Sequence, residues 1–177
     1  MRTIVDLWRA NKIDLAVVAA SASEKQRGGS YFENYAAFAA RLERVGLQDC
    51  QQLLPIGRWD ISFCGHCLWP EPESKQRETQ VWEVLFPNEP IEWVDFANTK
   101  DADPADTGSR SYHNWRNKQL DVQMFWAHDH NSRVFFLTAD RNFEKRLADS
   151  PLFPDAVILT PREAVSRLAS PAKGKFR

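Results

Sequence analysis

Residues 133–164 run RVFFLTADRNFEKRLADSPLFPDAVILTPREA and alternate between strand signals and helix signals. The apolar segment 133–138 predicts a buried strand, residues 143–148 a short helix, and residues 156–159 a second strand. Residues 160–163, Thr-Pro-Arg-Glu, have the features of a helix start, with a capping threonine, a proline in the first turn and a glutamate three residues on. This alternation indicates an α/β protein whose sheet carries helices on its faces.

The chain before this stretch shows the same alternation. Residues 115–130 have apolar side chains at helical spacing and predict a helix. The continuous apolar run 13–20 suits a parallel strand that is buried on both faces. Aromatic and aliphatic residues repeat over 31–45, which predicts a helix that Gly46 ends. Residues 1–11 carry a short helical stripe, so helices and strands continue to alternate toward the N-terminus.

Residues 47–111 differ in character from both flanks. Six of the ten prolines and four of the seven tryptophans lie between Pro55 and Pro104, and no clean hydrophobic period survives there. We interpret 47–111 as an ordered Pro/Trp-rich insertion that consists of short strands and turns, with residues 101–109 as its flexible exit.

Length and charge restrict the class of protein. The chain has 177 residues, enough for one hydrophobic core, so we expect a single domain over residues 1–177. Its parts are an N-terminal part, 1–46, the insertion, 47–111, and a C-terminal half, 112–170. The 23 Lys and Arg residues against 24 Asp and Glu residues give a net charge of −1. That charge excludes nucleic-acid binding by a bulk basic surface alone.

The cysteine count and the hydrophobic runs bear on location. Three cysteines are too few for a disulfide framework in a chain this long. The apolar run 15–20 is shorter than the hydrophobic region of a secretory signal. No run approaches the roughly 20 apolar residues of a membrane helix. We therefore expect a cytoplasmic protein without a membrane span.

Cys64-Gly-His-Cys67 carries the dipeptide found between the cysteines of disulfide isomerases. That chemistry requires a helix that starts at the motif, and Pro70 and Pro72 argue against one there. A zinc site is an alternative, but no second CxxC pair is present. The favoured interpretation is a turn with packed thiols. The zinc alternative draws its other ligands from His66, His113, His128 and His130.

The pair His128 and His130 also resembles a metal motif. Positions i and i+2 of a helix point in directions about 200° apart, so the two imidazoles diverge. We therefore expect a structural histidine at position 128 rather than a shared metal ion.

Three acidic residues stand where predicted elements begin or end. Asp140 follows the strand 133–138 and Glu24 follows the run 13–20, so both are expected at the carboxyl ends of strands, where α/β proteins bind ligands. Asp121 is expected to begin an apolar helix whose hairpin with the next strand returns to Asp140. Carboxylates that share an edge repel one another unless a cation lies between them, and their hard oxygens suit Mg²⁺ or Mn²⁺. The alternative is that these acids are helix N-caps.

Several of these segments resemble the C-terminal half of PIN-like nuclease domains. In that family an aspartate opens a helix, a strand ends in Thr-x-Asp-x-Asn-Phe or a close variant, and the last strand ends in Thr-Pro-x-Glu. Residues 121–128, 134–143 and 158–164 follow this pattern. Residues 13–19 with Glu24 look like the family's second strand and its helix-borne acid.

The resemblance covers roughly residues 4–46 and 112–168. It implies a three-layer α/β fold, with a mostly parallel central sheet and helices on both faces. It also implies a carboxylate metal site, with Asn142 in support. The implied catalytic and metal-binding residues are Glu24, Asp121 and Asp140.

The start of the chain departs from the family pattern. PIN-like domains open with a central strand that ends in an aspartate, then a helix, then the second strand. Residues 1–6 look like that first strand, and Asp6 like its acid, but only six residues separate Asp6 from Ile13. A parallel crossover needs about a dozen. We therefore interpret 1–11 as the tail of the first helix and expect the first strand to be absent.

Two hypotheses from different classes follow. The first is a metal-dependent ribonuclease that hydrolyses phosphodiester bonds, in single-stranded RNA rather than DNA, through a carboxylate-bound Mg²⁺ or Mn²⁺. Arg141 and other cations would contact the phosphates, and an antitoxin-like protein is a candidate partner. The second is a degenerate, non-catalytic PIN-like module that binds a partner. The other cations near the acids are Lys25, Arg27, Arg116, Lys118, Lys145 and Arg146.

Overall fold

The computed structural model describes residues 2–26 and 28–169, and Met1, Arg27 and residues 170–177 lie outside the described residues. The chain divides into a terminal unit, made of Met1–Leu15 and Arg133–Arg177, and a central unit, Ala16–Ser132. In chain order the elements are α1 (Arg2–Arg9), β1 (Ala16–Val18), a 3₁₀ helix (Ala19–Ser23), α2 (Tyr35–Val45), β2 (Gln51–Leu53), α3 (Pro72–Leu85), α4 (Trp93–Thr99), α5 (Arg110–His130), β3 (Phe135–Leu137), α6 (Arg141–Leu147), β4 (Val157–Leu159) and α7 (Pro161–Ala169).

The central unit is built around a two-stranded parallel sheet, in which β1 pairs with β2. Successive side chains of a strand point to opposite faces. Val17 accordingly packs against a buried cluster that includes Phe38 of α2, whereas Ala16 and Val18 pack against a second cluster that includes Trp126 of α5. Helices therefore cover both faces of this small sheet.

The predicted strand 13–20 is wrong at its carboxyl end. Only Ala16–Val18 forms a strand, and the 3₁₀ helix follows it directly. Ala19, Ala20 and Ala22 are buried in that helix. Their small side chains allow the helix to pack closely on α5. Glu24 thus follows a short helix rather than a strand end.

Residues 47–111 are more regular than predicted, because they contain β2 and the helices α3 and α4. The prediction of short strands and turns was wrong for these helices. No helix starts at the Cys64–Cys67 motif, as predicted, and Pro72 instead occupies the first turn of α3, where its missing N–H is not needed. The apolar period of α3 is interrupted by the buried Glu78, whose carboxylate pairs with the Arg58 guanidinium at 2.9 Å.

Helix α5 is longer than the predicted helix 115–130. It begins at Arg110, after Ser109, whose hydroxyl accepts a hydrogen bond from the Tyr112 N–H at 3.1 Å. Asp121 therefore lies in the middle of α5, and the prediction that it begins a helix was wrong. Helix α3 packs along α5 within the central unit. Among the described residues, no helix is sufficiently long and apolar to cross a membrane.

The terminal unit contains the second parallel pair, β3 with β4, followed by α6 and α7 respectively. The guanidinium of Arg133, just before β3, contacts the Asp14 carboxylate at 2.7 Å. Thr160 and Glu163 form the predicted helix start of α7, since the Glu163 carboxylate accepts from the Thr160 N–H at 2.7 Å.

These observations establish a mixed α/β protein with short parallel strand pairs. Within the part of the chain that the structure describes, each unit holds one two-stranded sheet. The predicted three-layer arrangement around a single central sheet stays a prediction.

Candidate functional site

The central unit has an open pocket of about 250 Å³ on one side of α5. Asn117, Leu120 and Asp121 line it from α5, and Glu24 and Lys25 line it from the segment after the 3₁₀ helix. The α5 residues are spaced i, i+3 and i+4, so they share one face of the helix. The structure therefore brings Glu24 and Asp121, two of the three predicted site acids, to the wall of one pocket.

Contacts between the 3₁₀ helix and α5 position Glu24. The Arg116 guanidinium of α5 donates to the Ser23 carbonyl oxygen at 2.8 Å, one residue before Glu24. On its other side the Ser23 hydroxyl, itself buried, donates to the Ile61 carbonyl oxygen at 2.5 Å. The Ser21 hydroxyl contacts the Met124 sulfur at 3.8 Å. Glu24 is thus held near α5 by its neighbours in the chain.

Tyr31, in the segment that follows Glu24 and Lys25, also contacts α5. The Arg116 guanidinium lies over the Tyr31 ring, 4.3 Å from its centroid, and the Tyr31 hydroxyl is 3.2 Å from Nδ1 of His113. Arg116, a predicted phosphate contact, is therefore engaged with Tyr31 and Ser23. Nothing in the local sequence marks this cluster, because its members are distant along the chain.

The electrostatics of the pocket differ between its two acids. Burial of the Glu24 carboxyl raises its pKa above the ordinary value, although much of the residue is exposed. Removing a carboxylate from water disfavours its charged form. Asp121 is half-buried in the lining that α5 supplies, and Lys25 is exposed. A cation between the two acids would favour ionised Glu24.

Asp140, Arg141 and Asn142 lie together in the terminal unit, where β3 leads into α6. The Asp140 carboxylate accepts a hydrogen bond from the Asn142 backbone N–H at 2.8 Å, and it is the N-cap of α6. The Asp140 N–H donates in turn to the Thr138 hydroxyl at 3.0 Å. Asp140 is therefore a helix N-cap, which is the alternative that the sequence left open. Its predicted place beside Glu24 and Asp121 stays a prediction.

Arg141 lies at the amino end of α6, where its charge acts on a neighbouring helix start. Hydrogen bonds from Thr160 are the main cause of the lowered pKa of Glu163, and the positive charge of Arg141 contributes. In the terminal unit Arg141 thus has a carboxylate within electrostatic reach.

The remaining motifs show different outcomes. His128 is buried, whereas His130 is exposed and stacks on Trp126, which confirms that the two imidazoles diverge. The interpretation of packed thiols was wrong for Cys64, which is exposed, while Cys67 is partly buried. Within each unit, the described residues contain no cluster of three or more His, Cys, Asp or Glu side chains that could hold a metal ion.

No protein-family model, curated protein or solved structure matches this chain.

Proposed function

We propose that the chain is a PIN-like nuclease in which Glu24 and Asp121 hold a Mg²⁺ or Mn²⁺ ion and single-stranded RNA is hydrolysed. The observation that supports this best is the pocket in the central unit. Two carboxylates that are far apart in sequence line it together with Lys25 and Asn117. The three-layer arrangement implied by the family resemblance belongs to the same proposal.

The donor set of the pocket fits such an ion. Mg²⁺ is commonly held by only one or two protein carboxylates and keeps several water molecules or takes phosphate oxygens. The carboxylates of Glu24 and Asp121 and the amide oxygen of Asn117 are hard ligands of the required kind. A volume of about 250 Å³ leaves room for water and a phosphate group. The raised pKa of Glu24 fits a carboxylate whose counter-charge comes from a bound ion.

Each residue of the pocket has a separate role in the proposed hydrolysis of a phosphodiester bond. A divalent ion, when bound, polarises the phosphate and supplies an activated water. The Lys25 ammonium attracts the phosphate oxygens and fixes the RNA backbone without reading its sequence. Leu120 presents an apolar wall that keeps water from that side. The family resemblance implies Asp140 as a third carboxylate, but the ion does not require it, because one or two protein carboxylates suffice for Mg²⁺.

The test is cleavage of a labelled single-stranded RNA in the presence of Mn²⁺. Loss of an ion ligand is expected to lower the rate by at least about 100-fold, the upper end of what loss of outer-shell partners causes. Glu24→Gln and Asp121→Asn should each show this loss. Calorimetry should show weaker Mn²⁺ binding in the same variants.

The matched control is Glu43→Gln, which removes an exposed carboxylate of α2 outside the pocket lining. Its cleavage rate and Mn²⁺ affinity should equal those of the parent chain. Full activity in both pocket variants would remove Glu24 and Asp121 from the site.

A second candidate is a binding module without catalysis. Trp59 and Trp69 are 88% and 83% exposed, and such large amphipathic side chains favour contact with a partner. This function predicts no RNA cleavage and no change in melting temperature with Mn²⁺, together with partner binding that Trp59→Ala and Trp69→Ala weaken.

A further inference from the structure

The Cys64-Gly-His-Cys67 segment forms a reverse turn in the central unit. The His66 N–H donates to the Phe63 carbonyl oxygen at 3.0 Å, and Gly65 has a φ of 79°. A positive φ at this position of the turn is favourable for glycine, which has no Cβ. The hydrogen-bonded turn spans Phe63–His66, with Cys64 inside it and Cys67 directly after it, so the chain reverses between the two cysteines.

The two thiols of this turn differ in access. Cys64 is exposed, whereas Cys67 is partly buried against Gly57. A Cβ at position 57 would lie 3.1 Å from the Cys67 sulfur, so the glycine leaves the space that this thiol occupies. The backbone just after Cys67 is held by two hydrogen bonds of Leu68. The Leu68 N–H donates to the Pro55 carbonyl oxygen, and the Gly57 N–H donates to that of Leu68, both at 2.8 Å.

The position of α3 distinguishes this cysteine pair from the motif of catalytic oxidoreductases. Helix α3 begins at Pro72, five residues after Cys67, so no helix N-terminus stabilises a thiolate at Cys64. Burial, and then the neighbouring Cys64 charge, raises the pKa of Cys67. The exposed thiol is therefore the one that attacks, and the partly buried thiol resolves.

We propose that Cys64 and Cys67 form a reversible intramolecular disulfide by exchange with a small disulfide of the glutathione type. The site is a stoichiometric modification site, independent of the proposed nuclease pocket.

The exchange runs in two balanced steps. The Cys64 thiolate attacks one sulfur of the small disulfide, which forms a mixed disulfide and releases one small thiolate. The Cys67 thiolate then attacks the Cys64 sulfur, which forms the Cys64–Cys67 bond and releases the second thiolate. Two protein thiols are oxidised and one small disulfide is reduced to two thiols, because the protons that the protein thiols lose are taken up by the two released thiolates. Excess small thiol reverses both steps.

The test incubates the full chain with oxidised glutathione at mildly alkaline pH and then blocks free thiols with an alkylating reagent. Mass spectrometry of peptides should show Cys64 and Cys67 joined, with the loss of two hydrogens and no glutathione, over minutes to hours. Dithiothreitol should restore both thiols. The buried Cys50 is an internal reference that stays reduced.

Two variants decide the order of the steps. Cys67→Ser should stop at the mixed disulfide and carry one glutathione on Cys64. Cys64→Ser should react at least tenfold more slowly, because only the hindered thiol remains. The proposal is overturned if the parent chain keeps glutathione on Cys64, if it forms disulfide-linked dimers instead, or if both thiols stay reduced while Cys67→Ser carries the adduct.

Discussion

Gln123 is the clearest local conflict in the core. Its side chain is completely buried in α5, and within the described residues neither its amide nitrogen nor its oxygen has a hydrogen-bond partner. An unmatched buried amide costs about 1–3 kcal/mol. Gln123→Met keeps the length of the side chain and removes both polar atoms. We expect it to raise the free energy of unfolding by about 1 kcal/mol, as measured by urea denaturation.

Gln119, one turn earlier, is the matched control. It is equally buried, and within the described residues its side-chain oxygen also lacks a partner, but its amide nitrogen donates to the Ile91 carbonyl oxygen at 2.6 Å. Gln119→Met breaks that bond and leaves the Ile91 carbonyl oxygen with the Trp115 indole N–H, 2.9 Å away, as its donor. It should therefore stabilise the chain less than Gln123→Met does. An effect of Gln123→Met on stability no more favourable than that of Gln119→Met would mean that Gln123 is satisfied in solution.

The raised pKa of Glu24 should make the stability of the folded chain depend on pH. Burial raises it, so the folded chain binds this proton more tightly than the unfolded chain does. The stability that Glu24 contributes is therefore fully present below its pKa in the unfolded chain. It is lost as the pH rises through its pKa in the folded chain. Glu24→Gln should melt at a slightly higher temperature than the parent at neutral pH, and the difference should vanish in acid. Thermal melts across this pH range measure it.

Mn²⁺ should reverse that order if the ion binds at Glu24. At about 100 times its dissociation constant, a ligand of the folded state adds about 2.7 kcal/mol of stability. The parent chain should gain this increment and Glu24→Gln should not. Equal gains in the two proteins would place the Mn²⁺ ion away from Glu24.

At the scale of elements, α3 depends on a buried ion pair. The Glu78 carboxylate accepts two hydrogen bonds from the Arg58 guanidinium, at 2.9 and 3.1 Å, and its side chain is only 4% exposed. Removing Glu78 leaves the Arg58 guanidinium, which is 17% exposed, with only the Glu92 carboxylate, at 3.7 Å, as an ion-pair partner among the described residues. Glu78→Ala should therefore lower the free energy of unfolding by about 3 kcal/mol, the lower end of the range for breaking a buried ion pair, measured by chemical denaturation.

Two further variants isolate the cause of that loss. Glu83→Ala removes an exposed glutamate from the same helix and should change stability by less than about 0.5 kcal/mol. The double variant Arg58→Met with Glu78→Leu removes both charges and should recover most of the stability. A double variant as unstable as Glu78→Ala would mean that the pair is needed for packing rather than for charge balance.

Sequence patterns predicted the elements whose signals are local. Gly46 ends α2 in a left-handed conformation with a φ of 74°, and Thr160 with Glu163 starts α7, because caps depend on a few adjacent residues. Helix α3 escaped prediction because Glu78 interrupts its apolar face and is neutralised by a residue 20 positions earlier. The meeting of Glu24 with α5 likewise depends on distant partners, so its geometry could not be derived from spacing.

At the scale of the whole molecule, the central unit is one continuous stretch, Ala16–Ser132, whereas the terminal unit draws on both ends of the chain. The central unit has its own buried core, which includes Trp82, Phe96 and Trp126. A continuous segment with its own core can fold alone. We expect a fragment 16–132 to be helical by circular dichroism and to unfold cooperatively.

This fragment also allows the role of Glu24 and Asp121 to be tested without Asp140. It contains Glu24 and Asp121 but not Asp140. Because Mg²⁺ and Mn²⁺ are often held by one or two protein carboxylates, the fragment should bind Mn²⁺ with an affinity close to that of the full chain. Asp140→Asn in the full chain should then leave Mn²⁺ affinity nearly unchanged. A folded fragment that binds no Mn²⁺, together with loss of binding in Asp140→Asn, would instead show that Asp140 completes the metal site.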